Sequence, residues 1–91
     1  MHILNQDKDM VFTLTDKGEV FSSMQTVNDV LMGWNVYGRK IKKLFRATLL
    51  GTYDTESDAH QIVEEIKRLY KIGCTYYAMP EPADINELEV I

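Results

Sequence analysis

Ninety-one residues with 45% hydrophobic and 26% charged content describe a single globular domain of net charge −4. At this length about 60–70% of the unfolded chain's surface can be buried, enough for one modest core. A single cysteine, Cys74, excludes an internal disulfide and a zinc site built on paired cysteines, and fits a reducing cytoplasm. No apolar run approaches the roughly 20 residues that span a bilayer. The opening MHILNQDKD lacks the basic-then-apolar pattern of a secretory signal, so no membrane association is expected.

In chain order, MVFTLT and EVFSSM flank Asp16-Lys17-Gly18. Glycine makes a tight turn cheap there, and the pattern predicts a hairpin. A second hairpin is expected from VLMGWNVY to KLFRATLLGTY, turning near Gly38. In its later strand Ile41, Phe45, Ala47, Leu49 and Tyr53 share one face, and Lys40, Lys42, Arg46, Thr48 and Thr52 share the other. Such alternation marks a strand with one buried and one wet face. A helical turn over VNDVLMGW is the alternative for part of this segment.

TESDAHQIVEEIKRLYKIG carries the clearest signal. Thr55 with Asp58 three residues on resembles a capping box. Glu56 and Asp58 sit in the first turn and Lys67, Arg68 and Lys71 in the last, as the helix dipole favours. Ala59, Ile62, Val63, Ile66, Leu69 and Tyr70 form one apolar stripe, and Gly73 stands where a left-handed cap belongs. The spacing predicts a helix over about 56–72. CTYYAMP is rich in β-formers and stops at Pro80, predicting a closing strand over about 74–79. The remainder, EPADINELEVI, has four acids and no base and reads as a flexible acidic tail over 81–91 after a domain of 1–80. The fold class is therefore α+β: an antiparallel sheet of about four or five strands packed against one helix.

Two stretches, LLGTYDTESDAHQIVEEI and YYAMPE, together with the opening ILNQDKD, resemble a group of small uncharacterised proteins of Firmicutes and their phages. The resemblance covers about half the chain and implies a short opening strand, an NQD turn, a meander, one helix and a closing strand. It implies a phage or mobile-element setting and supplies no catalytic residues. The segment from Met24 to Arg46 departs from it in being longer and more basic.

That segment holds the candidate site. Arg39, Lys40, Lys42, Lys43 and Arg46 are half of the chain's ten basic residues, gathered in an acidic protein. Trp34 and Tyr37 precede them. Aromatic rings beside cations suit an anionic target with flat apolar parts, such as a host protein surface or a phosphorylated small molecule. The plainer reading is that both rings pack the core and the cations defend an edge strand against aggregation. Elsewhere His2 and His60 have no spaced partner, Glu64 and Glu65 diverge on the helix, and no phosphate loop or nucleophile motif is present. No enzyme, metal or cofactor is expected. The sequence predicts a non-catalytic binding protein that inhibits a host target, as an anti-defence protein would, with a homodimer as the expected assembly. A nucleic-acid binder and a purely structural or regulatory dimer are the alternatives.

Overall fold

The computed structural model describes residues 1–42 and 46–82. Among them are six strands and one helix, in the order β1 (His2–Leu4), β2 (Val11–Thr13), β3 (Glu19–Val27), β4 (Val30–Arg39), β5 (Thr48–Tyr53), α1 (Glu56–Lys71) and β6 (Tyr76–Ala78). The architecture is α+β. The strands divide into two three-stranded sheets, ordered β2-β1-β6 and β3-β4-β5, rather than forming one continuous sheet. The first is mixed, because β6 runs parallel to β1 while β2 runs antiparallel to it.

The helix follows from its sequence. The Thr55 hydroxyl accepts a hydrogen bond from the Asp58 amide at 3.1 Å, closing the first turn. At the far end the Cys74 amide donates to Leu69 and the Gly73 amide to Tyr70, with Gly73 at φ 86°, a Schellman cap. The stripe Ala59, Ile62, Val63 and Ile66 is fully buried over β3, β4 and β5. Removing an isoleucine side chain from water stabilises by about 1.5–3 kcal/mol.

The first expected hairpin is not formed. A turn does occur before Gly18, whose amide donates to Thr15 at 3.0 Å. Its two arms nevertheless enter different sheets. β2 pairs with β1, Phe12 opposite Ile3, and β3 pairs with β4 along nearly its whole length. The β3–β4 connection is the two-residue turn Asn28-Asp29, at φ 52° and 62°. Positive φ at both central residues matches the natural twist of a hairpin, so this local closure competes successfully with the Asp16-Lys17-Gly18 turn.

The second hairpin pairs β4 with β5, but the chain does not reverse at Gly38. Gly38 lies inside β4, opposite Val20 and Thr48. The Phe12 ring rests against it so closely that a Cβ there would stand 2.7 Å from the ring. The chain reverses beyond Arg39 and β5 begins at Thr48. A bulge then shifts the register: Val36 faces Gly51 and Tyr37 faces Leu49, leaving Leu50 unpaired. Leu50 is buried as a result, whereas Ile41, Ala47 and Leu49 are exposed, contrary to the alternation read from the sequence. Phe45, the other residue of that expected face, lies outside the described residues.

One core unites the layers: Ile3, Phe12, Leu14 and Met79 from the first sheet side meet Val20, Val36, Leu50 and Tyr53 from the second, beneath the helix stripe. Ile66→Ala should cost ~2–5 kcal/mol in urea unfolding, as large-to-small core changes do. Gly38→Ala should cost about 1–3 kcal/mol, because the Phe12 ring must shift. A change below about 0.5 kcal/mol in the glycine variant would show that the ring does not lock the two sheets together.

Candidate functional site

The basic run is not a strand face. Arg39 ends β4, while Lys40, Lys42 and Arg46 lie in the connection to β5 with their side chains exposed. Lys43 lies outside the described residues. The connection is anchored on the Asp16-Lys17-Gly18 turn, since the Lys42 amide donates to the Lys17 carbonyl at 2.9 Å.

Trp34 and Tyr37 do not form one aromatic surface. Three residues apart on a strand in continuous register with β3, they project to opposite faces. Trp34 packs against the core. Tyr37 stacks on Phe21 at 5.6 Å between centroids, and Arg39 lies 4.3 Å above the Phe21 ring. Arg39 also reaches Glu19 at 3.4 Å. Its guanidinium is therefore held by a ring and a carboxylate, which leaves it less free for a partner than the exposed lysines. Behind it, Asn35 donates to the Tyr37 hydroxyl at 3.0 Å and accepts from the Thr52 hydroxyl at 2.8 Å.

Lys42 instead joins cations that the sequence reading had assigned only to the helix dipole. It lines a groove of about 830 Å³ with Lys67, Arg68 and Lys71 of α1. Its lining includes the buried apolar residues Leu14, Val20 and Val63 and the consecutive residues Glu19–Ser22 of β3. Two of the three acids lining the groove are paired with a cation, and the third, Asp16, holds only a neutral hydroxyl. Glu64 pairs with Lys67 at 3.5 Å, Glu19 with Arg39, and Asp16 accepts the Tyr70 hydroxyl. Lys42, Arg68 and Lys71 have no ion pair among the described residues. Lys42, Arg68 and Lys71 thus outnumber Asp16, the one carboxylate of the groove without a cation among the described residues, and leave a net positive charge beside apolar lining. The signal for it lay in the helix pattern, where His60, Val63, Glu64, Lys67 and Lys71 share the side next to the buried stripe.

The two edges of the β3-β4-β5 sheet differ. The outer edge of β5 is closed by Gln6. The Gln6 amide donates to the Leu50 carbonyl at 2.7 Å, and its side chain both accepts from the Thr52 amide at 3.0 Å and donates to the Thr52 carbonyl at 3.2 Å. The side-chain amide thus copies a neighbouring strand. The turn that presents it is built by buried Asn5, whose side-chain Oδ1 accepts from the Asp9 and Met10 amides. Among the described residues nothing hydrogen-bonds the outer edge of β3.

Other candidate groups have ordinary settings. His2 is exposed against the Thr13 hydroxyl, and His60 is an exposed member of the groove wall. The Cys74 thiol donates to the Tyr76 carbonyl at 3.3 Å. No cluster among the described residues has the composition of a metal site, and no helix there is long and apolar enough to cross a membrane. No family model, curated protein or solved structure matches this chain.

Two phenols near the closing strand are strongly perturbed. Burial pushes Tyr53 well above its usual value of about 10, and its hydroxyl donates to the Pro80 carbonyl at 2.7 Å. Burial, and then the adjacent Glu65 carboxylate, push Tyr77 up as well. The folded state holds both protons more tightly than the unfolded chain does. Their contribution is complete below pH ~10 and is lost as pH rises above it. Stability should fall above that pH, and ultraviolet titration should show these two phenols ionising only as the protein unfolds. Replacing both with phenylalanine should flatten the decline.

Proposed function

We propose that this chain is a non-catalytic binding protein that occupies an anionic target through the groove and its adjoining basic connection. The single observation that carries the reading is the meeting of Lys42 with Arg68 and Lys71 at one groove with apolar lining, all three without a partner charge among the described residues. Uncompensated charge in a cleft raises the local concentration of an oppositely charged partner. The acidic remainder of the protein would repel nucleic acid in general and favour a shaped target. Lys40 and Arg46 extend the positive surface, while Arg39 and Tyr37 stiffen the strand behind it. The resemblance to small proteins of Firmicutes and their phages supports a setting in which such occupancy inhibits a host component, as an anti-defence protein does. A host protein fits the groove's length better than a phosphorylated small molecule does.

A second reading has its own support. Met24, Val27, Val30, Leu31 and Met32 are all exposed at the end of the β3–β4 hairpin. An apolar tip of this kind suits self-association, and a two-fold dimer is the commonest assembly.

Affinity capture from Firmicutes host cells, with mass spectrometry of proteins and small molecules, tests the first reading. A folded Lys42→Ser, Arg68→Ser, Lys71→Ser variant should lose the captured target, and capture by the parent should weaken as salt rises. Equal capture by the variant would overturn it. Sedimentation showing only monomer at micromolar concentration would remove the second.

A further inference from the structure

We propose that the groove binds an extended acidic peptide of a partner protein, which adds as a new strand to the open edge of β3. This rests on the reading that the target is anionic, and it specifies how that target is held.

The edges of the two sheets carry the first part of the argument. An unpaired strand edge is a template for pairing, and proteins usually blunt it with charge, proline, short length or a cover. Here β2 and β6 are only three residues long, and Gln6 covers β5. β3 is nine residues long, yet from Val20 to Val27 it contains neither a charged residue nor a proline. It is the one long undefended edge among the described residues. Gln6 shows on the opposite side of the same sheet that this molecule satisfies an edge with a strand-like partner where no binding is needed.

The groove carries the second part. Its wall is four consecutive residues of β3, Glu19 to Ser22, so it follows the strand's edge rather than one face. A strand added there would lie about 4.8 Å from β3, beneath the side of α1. The wall of α1 runs from His60 to Lys71, which is roughly 17 Å at the helical rise and accommodates about five extended residues. Main-chain hydrogen bonds to β3 would supply affinity without sequence preference, and side-chain contacts would supply the choice of partner. Those contacts are apolar at Val20 and Val63 and cationic at Lys42, Arg68 and Lys71. Charge complementarity therefore selects a peptide that alternates acidic and apolar residues.

The test is selection of a randomised displayed peptide library against the whole protein, followed by amide exchange with the most enriched synthetic peptide. Enriched sequences should be acidic, and those amides of Glu19–Ser22 that point away from β4 should gain protection when that peptide binds. The Lys42→Ser, Arg68→Ser, Lys71→Ser variant should bind it at least about tenfold more weakly. Ser22→Pro and Ser23→Pro separate edge from fold. Adjacent residues direct their amides to opposite sides of the strand, so one variant breaks a β4 pairing and the other alters only the open edge. The variant that stays folded by circular dichroism should lose the peptide. No enrichment, enrichment without acids, or protection away from β3 would overturn the proposal. Protection of β3 that grows with protein concentration and without peptide would overturn it in favour of a second copy. If the serine variant loses its host target while that target leaves the β3 amides unprotected in the parent, strand addition fails and the anionic-target reading stands. If the variant keeps its target, that reading itself fails.

Discussion

The ring of Phe12 against Gly38 is the contact on which the arrangement of this protein depends. β2 and β4 belong to different sheets, and the ring bridges them at a point where any side chain would intrude. With that contact made, the first sheet sits against the second, its Asn5–Met10 turn reaches β5, and the helix closes the core over both. The bulge at Leu50 belongs to the same solution. It turns Leu50 inward while keeping Tyr53 in the core, although the two are three residues apart. An unbroken strand would point them to opposite faces.

This packing treats the two edges of the larger sheet unequally. Three hydrogen bonds from Gln6 consume the polar groups of β5 at Leu50 and Thr52. The opposite edge faces a groove whose wall is the helix side next to the buried stripe. A buried backbone group without a partner costs about 1–3 kcal/mol, whereas a solvated one is satisfied by water. An edge kept wet is therefore tolerable in the free protein. The proposed peptide strand would exchange with that water, and the neighbouring cations would favour an acidic one over a cationic one.

The helix and its caps were legible because each signal is local. Thr55, the stripe through Ile66, and Gly73 lie within one segment, and their roles depend on spacing alone. The pairing of strands was not local. Asp16-Lys17-Gly18 has turn chemistry and does turn, but which strand pairs with which was decided by the longer β3–β4 ladder and its Asn28-Asp29 reversal. That pair of residues, both tolerant of positive φ, was the available signal. Gly38 read as a turn because glycine serves turns and close approaches equally well, and only the position of Phe12 distinguishes them. At the candidate site, Lys42 stands out in the sequence as a residue of the basic run, but Arg68 and Lys71 lie in the helix and line the same groove only through the fold. Trp34 and Tyr37 are near in sequence and opposed in space for the simplest reason, the two-residue period of a strand.

Native amide exchange in the free monomer tests the central claim, that one edge of this sheet is closed and the other is held open for a partner. The Thr52 amide, bonded to Gln6, should be protected to the same degree as the amides that join β4 to its neighbours. Alternate amides of β3, those directed away from β4, should exchange at rates close to those of an unstructured chain. Uniform protection along all of β3 in the monomer would show that its edge is already covered, and would contradict the account.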